Sequence, residues 1–232
     1  MEILNNIPFN PDIDAILKRM RATRENKRFV ETLQELIDMV RPVAKPKAVY
    51  KVAFIDCKKE DSIVIDGVTF TSRVLRVNLD KVERVFPYVA TCGRELDAVT
   101  VPAEDLIKVY CLDAIKEMAV RNAVAYLTDY LTRRYALGQM SRMAPGSGSI
   151  DDWPLTQQRL LFSLFGDVEK LIGVRLTENC LMVPIKSVSG LFFPTEVKFE
   201  SCQLCQREHC IGRRARYDAA LAAKYQKGEE VH

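Results

Sequence analysis

Histidine is almost missing from this chain: His209 and His232 are the two in 232 residues. An imidazole acid–base centre or a His-built metal site is therefore not expected. No run approaches the roughly 20 apolar residues of a membrane-spanning helix. The opening segment MEILNNIPFNPDID has no basic region followed by a hydrophobic one, so it does not read as a signal peptide, and the expected location is the cytoplasm. Strong charge is lacking too. The net charge is +3, with acidic residues interspersed among the basic ones almost to the end, which gives no warrant for nucleic-acid binding. There is no Ser-His-Asp constellation, no Gly-rich phosphate loop, no Glu-rich metal site and no internal repeat.

What the chain does have is ordinary globular composition, enough length to bury a core, and seven cysteines. In a reducing compartment those are free thiols or metal ligands rather than a disulfide framework. The hydropathy pattern indicates an α+β (mixed α/β) fold, a sheet with flanking helices. Residues 1–45 read as a helical arm. Asn10-Pro11-Asp12 is a helix start, Ile13 to Val40 carries apolar residues at helical spacing, and RATRENKR is a polar break. Residues 46–200 form the main domain. Val49–Ile55 is an expected strand. Ile63–Phe70 is a hairpin turning at Asp66-Gly67, and Ser72–Leu79 a short helix. Val82–Cys92 is again a strand. From Pro102 to Leu137 runs a long helix with two apolar faces, closed by Gly138. A loop over 143–154, a helix over 155–173 broken near Gly166, and strands at 181–184 and 191–199 follow. The last segment, 201–232, is expected to be a Cys-rich tail ending in a helix, 215–227, too polar for a core. Cys57 and Cys111 read as buried.

The stretch from Arg142 to Phe199 concentrates position-sensitive residues. Arg142 offers a planar fork for a carboxylate or phosphate. Ala144, Pro145 and Gly146 form a turn that can present backbone to a ligand. Ser187 and Ser189 share a side of an extended segment, and Phe192 and Phe193 could supply an aromatic wall. Spacing alone leaves a core strand and an ordinary loop as the competing reading.

In order and spacing, Arg142-Met143-Ala144-Pro145-Gly146, Val168-Glu169-Lys170 with Gly173, Leu176-Thr177-Glu178, and Ser187-Val188-Ser189-Gly190 before Phe192-Phe193 resemble the activation domain of cobalamin-dependent methionine synthase. The resemblance covers residues 80–200. It implies a twisted, mainly antiparallel sheet and a pocket for S-adenosylmethionine. It also implies docking over the cobalamin of methionine synthase or another corrinoid protein, and re-reduction of Co(II) by a flavodoxin- or ferredoxin-like donor before methylation. Arg142 would then hold the ligand's carboxylate, with Ala144, Pro145, Gly146, Ser189, Phe192 and Phe193 around it. Ser147 and Phe192 stand where the family commonly has Tyr. With no room for the other domains of that enzyme, the chain is expected to act as a stand-alone activation subunit.

Cys202, Cys205 and Cys210, beside Arg213 and Arg214, are spaced to share zinc or an iron–sulfur cluster, with His209, Cys180, Cys92 or a group from a partner as candidates for a fourth ligand. That triad supports a second reading, a metal-binding or electron-transfer protein for a corrinoid partner. A small-molecule methyltransferase is a third, disfavoured by the missing Gly-rich loop.

Overall fold

The computed structural model describes residues 1–148, 152–196, 199–210 and 213–227. The chain begins with a strand the sequence did not announce, β1 (Glu2–Leu4), and then two helices separated by the polar run, α1 (Ile13–Met20) and α2 (Lys27–Val40). Asp12, rather than Asn10, caps α1, its carboxylate accepting from the Asp14 N–H, and Asn26 caps α2 through Phe29 N–H.

Strands β2 (Lys47–Tyr50) and β3 (Ala53–Lys58) replace the single strand expected over 49–55. The break falls opposite Pro87, whose carbonyl accepts from Lys51 N–H and which has no N–H of its own to continue a ladder. The expected hairpin is present as β4 (Ser62–Ile65) and β5 (Val68–Thr71). Asp66 and Gly67, at φ 44° and 79°, make the two-residue turn. Ser72 caps α3 (Arg73–Asn78) by accepting from Leu75 N–H. Then come β6 (Arg84–Thr91), α4 (Arg94–Asp97) and the 30-residue α5 (Leu106–Tyr135), which ends at Ala136 in the left-handed region, before Gly138. β7 (Met140–Met143), α6 (Gln158–Ser163), α7 (Val168–Ile172), β8 (Arg175–Leu176), β9 (Met182–Val183), β10 (Ser187–Pro194) and α8 (Ala219–Lys227) complete the chain.

Every strand pairing is antiparallel, and β6 is central. One edge of β6 pairs with β2 and β3, which continue to β1 and to β4–β5. Its other edge pairs with β10, and β10 with the outer strand β7. On one face lies α5. Its first half packs Cys111, Ile115 and Ala119 against Leu33, Leu36 and Ile37 of α2. Its second half packs Ala123, Leu127 and Leu131 against Tyr50, Phe86, Tyr88 and Phe192 of the sheet. Two apolar faces are thus used at different heights along one helix. The opposite face buries Ile63, Phe70, Val89, Trp153, Leu161 and Phe193. The α+β architecture read from the sequence is borne out.

Two local expectations are corrected. Cys57 is exposed, because β3 places it on the outward side beyond a register shift. The last helix does reach the core: Tyr225 is 4 % exposed, packs on Phe199, and hydrogen-bonds Asn78 through its hydroxyl. One large residue at the right turn anchors an otherwise polar helix. Leu204 and Phe199 join the same cluster, so the cysteine segment is sewn to the domain. The N-terminus is clasped likewise. Glu2 accepts from the Tyr50 and Tyr130 hydroxyls and lies 3.5 Å from Arg134. Among the described residues no helix is long and apolar enough to cross a membrane.

Candidate functional site

The Arg142 turn is positioned by an unusually close strand approach. β7 runs beside β10 with Arg142 opposite Phe192 and Met143 opposite Leu191. At the head of that ladder stands Gly190. A Cβ there would fall on the Met143 carbonyl oxygen, well inside contact distance, and 3.2 Å from Tyr88 Cε1. Only glycine lets β7 close over the Tyr88 ring at this point.

Beyond β7 the chain makes a type II turn. Pro145 takes its second position and Gly146, at φ 75°, its third, and the Ser147 N–H donates to the Ala144 carbonyl at 3.1 Å. Gly146 N–H donates to the Trp153 carbonyl at 2.7 Å, closing the loop on itself. Ser72 Oγ donates to the Asp152 carbonyl, and the Trp153 ring meets Phe70 edge-on at 5.8 Å. Gly148 packs against Asp152 and Ser201, so the tail's first turn sits on this loop. Two buried polar atoms here, Trp153 Nε1 and Ser201 Oγ, have no hydrogen-bond partner among the described residues. An unsatisfied buried polar atom costs about 1–3 kcal/mol, and such atoms are where a ligand or an ordered water is called for.

Strand parity divides the residues the sequence grouped together. Successive side chains of a strand point to opposite faces. Phe192 therefore joins Tyr88 on the α5 face, stacked at 4.4 Å and 27°. Phe193 is fully buried on the other face with Met143, Leu191 and Trp153. Ser187 and Ser189 do share a side, as expected, but it is the Phe193 side, where Ser187 Oγ bonds Thr91 and Ser189 Oγ bonds Gln158. The structure thus brings Arg142 and Phe192 together around Tyr88. Ser189 and Phe193 lie behind the sheet from them, beneath the loop that carries Pro145 and Gly146. Phe192 and Phe193 do not form one wall.

Tyr88 is the residue that sequence reasoning missed. Burial pushes the phenol's pKa up, while the charges of Arg142 and of Arg214 pull the other way. No local motif marks it. Its role follows from the β6–β10 register, which sets Tyr88 opposite Gly190.

The cysteine triad is not gathered. Among the described residues no three His, Cys, Asp or Glu side chains stand close enough to share an ion. The Arg213 guanidinium takes the centre of this segment, donating to the carbonyls of Cys202, Cys205, Arg207 and Ala215. Carbonyls turn inward to Arg213, and Cys210 is exposed. Cys202 Sγ instead accepts from Arg214 N–H at 3.4 Å. Of the suggested fourth ligands, Cys92 and Cys180 are buried elsewhere, Cys180 against Arg159 at 3.3 Å.

Residues 122–215 match the family model described as vitamin B12 dependent methionine synthase, activation domain. The match takes in Arg142–Gly146 and β10 and runs through Cys202, Cys205 and Cys210, past the boundary expected at residue 200. Among solved structures, the crystal structure of the MetH reactivation domain bound to AdoHcy is similar. It is 17 % identical, with a TM-score of 0.57 over 96 % of this chain and 78 % of that one. A search of curated proteins finds no match. The resemblance read from the motifs is borne out, and the two chains share a fold.

Proposed function

We propose that this chain binds S-adenosylmethionine at the Arg142–Gly146 turn and supports reductive methylation of cobalamin carried by a partner, methionine synthase or another corrinoid protein. The observation that carries the reading is the turn itself. An arginine on an outer strand, a type II Pro-Gly turn and two orphaned buried polar atoms meet within the segment that matches the activation-domain model. A neighbour of the same fold holds AdoHcy, which differs from S-adenosylmethionine by the transferred methyl.

The residues present fit such a ligand. Arg142 is half-buried on β7 opposite Phe192, so its fork reaches a carboxylate from a fixed strand. Gly146 is exposed and presents backbone. Trp153 Nε1 is a donor in need of an acceptor, and Ser201 Oγ can give or take a hydrogen bond. S-adenosylmethionine supplies an electrophilic methyl group for reduced cobalt on the partner. The chain's own part is to hold the donor in place and keep it oriented, which by itself is worth several orders of magnitude in rate. A flavodoxin- or ferredoxin-like donor would deliver the electron. No side chain of the turn is asked to act as acid, base or nucleophile.

The test combines the chain with a corrinoid protein in its Co(II) form, a low-potential reductant and methyl-labelled S-adenosylmethionine. Label on the corrinoid that depends on both chain and reductant supports the reading. Label passed to a small acceptor without a corrinoid protein would instead establish an ordinary methyltransferase.

A further inference from the structure

Residues 200–205 wind through three successive tight turns. Gln203 N–H donates to the Glu200 carbonyl at 2.8 Å, Leu204 N–H to that of Ser201 at 3.2 Å, and Cys205 N–H to that of Cys202 at 3.3 Å. In such a 3-10 winding, side chains three residues apart eclipse one another. Ser201 and Leu204 share the inward side, 2 % and 7 % exposed, and Cys202 and Cys205 share the next, both half-buried. A closed four-residue turn holds its end Cα atoms within about 7 Å, the reach of a disulfide. Arg213 fixes the pair, since its one guanidinium donates to the Cys202 and the Cys205 carbonyls, each at 3.3 Å. Cys210 lies outside this turn and is exposed.

We propose that Cys202 and Cys205 form a redox-active dithiol, a site of reversible oxidation by a small-molecule disulfide. One thiolate attacks a sulfur of that disulfide, releasing half of it as a thiol and leaving a mixed disulfide on the chain. The other cysteine's thiolate then attacks the protein sulfur, joining Cys202 to Cys205 and releasing the second half. The pair gives up two protons and two electrons, and the small disulfide takes them up as two thiols. This chemistry is independent of the ligand proposed above, but its site touches the same loop. Cys202 Sγ accepts from Arg214 N–H at 3.4 Å, and a Cβ on Gly148 would lie 3.4 Å from Ser201 Cβ. Bridging draws Cys202 Sγ off that donor and shifts Ser201, its neighbour, against the loop that carries Trp153.

The experiment equilibrates the full chain with glutathione buffers of stepped thiol-to-disulfide ratio, in native buffer and in urea. Free thiols are trapped by alkylation and the bridges mapped by peptide mass spectrometry. Wild type, Cys202→Ser, Cys205→Ser and Cys210→Ser are compared, each checked by circular dichroism. Wild type and Cys210→Ser should both show a Cys202–Cys205 bridge, while the other two variants stop at the mixed disulfide. The folded pair should close with a constant at least about tenfold above that of the unfolded pair, a potential about 30 mV more negative, because the turn holds it ready. Emission of Trp153, the one tryptophan of the chain, should shift on closure in wild type and not in Cys205→Ser. No bridge in the folded chain, a bridge that needs Cys210, or equal constants folded and unfolded overturns the inference. A Trp153 spectrum unchanged by closure overturns the link to the loop. If either of the first two serine variants does not fold, mapping in wild type and Cys210→Ser still decides the pairing.

Discussion

Replacing Gly190 with alanine probes the strand approach on which the turn depends. The added Cβ would press on the Met143 carbonyl oxygen and lie 3.2 Å from Tyr88 Cε1. Neither can yield easily: one is backbone, and the other is a buried ring stacked on Phe192. Gly190 has no positive φ, so the effect is steric alone. Relief requires β7 to retreat by about 1 Å, an overpacking cost of about 1–3 kcal/mol. Loosening a neighbouring bond of the ladder, whose register runs from Leu191↔Met143 to Pro194↔Met140, adds about 1 kcal/mol. The sum, about 2–4 kcal/mol, corresponds to a melting temperature lower by about 5–15 °C for a chain of this size. Gly138→Ala is the control, since nothing lies within 4 Å of its Cβ and its φ is not positive. It should be neutral or stabilise by up to about 1 kcal/mol. Thermal melts followed by circular dichroism decide it. A Gly190→Ala protein melting within about 1 °C of wild type would refute the argument that glycine is there for the approach of β7.

Three further outcomes follow from the packing. Hydrogen bonds from Tyr130 and then Tyr50 hold the Glu2 carboxyl below its usual pKa, so its stabilisation is present at neutral pH and lost as pH falls through the lowered value. Melting curves of Glu2→Gln and wild type should therefore differ at pH 7 and converge only once the pH has fallen below that lowered value. Thiol labelling with mass spectrometry should mark Cys57 and Cys210 first and Cys202 and Cys205 more slowly. Cys92, Cys111 and Cys180 should react only after unfolding, because they are buried, and burial pushes the first two up to about 12 and about 11. Tyr225→Ala should destabilise by about 2–4 kcal/mol in denaturant titrations, since it removes a ring from the core and the partner of Asn78; no change would mean the last helix is not docked.

The parts of the fold legible in the sequence are those decided locally. Asp66-Gly67 dictates its turn, Ser72 caps its helix, and the apolar pattern of Leu106–Tyr135 suits a helix used on two sides. What stayed hidden is decided by partners far along the chain. β7 is a four-residue strand, Met-Ser-Arg-Met, with no alternation strong enough to announce it. It is a strand because β10 pairs with it. β1 exists because β2 does. The site follows the same division. The Arg142 turn is visible as Pro and Gly in series, whereas the sorting of Phe192 from Phe193, and of Arg142 from Ser189, follows from the pleat of β10 once its register on β6 is known. Tyr88 and Ser201 are placed by tertiary packing and have no sequence signature. The cysteine spacing, conversely, suggested a shared ion that the fold around Arg213 does not assemble.

Equilibrium dialysis of the full chain against labelled S-adenosylmethionine, beside Arg142→Met at matched thermal stability, tests the central claim most directly. The account predicts saturable binding at one site per wild-type chain, lost by about tenfold or more in Arg142→Met, the worth of a charge-assisted carboxylate contact. Wild-type chain that retains its fold and takes up no ligand, or an Arg142→Met chain that binds as tightly as wild type, would contradict it.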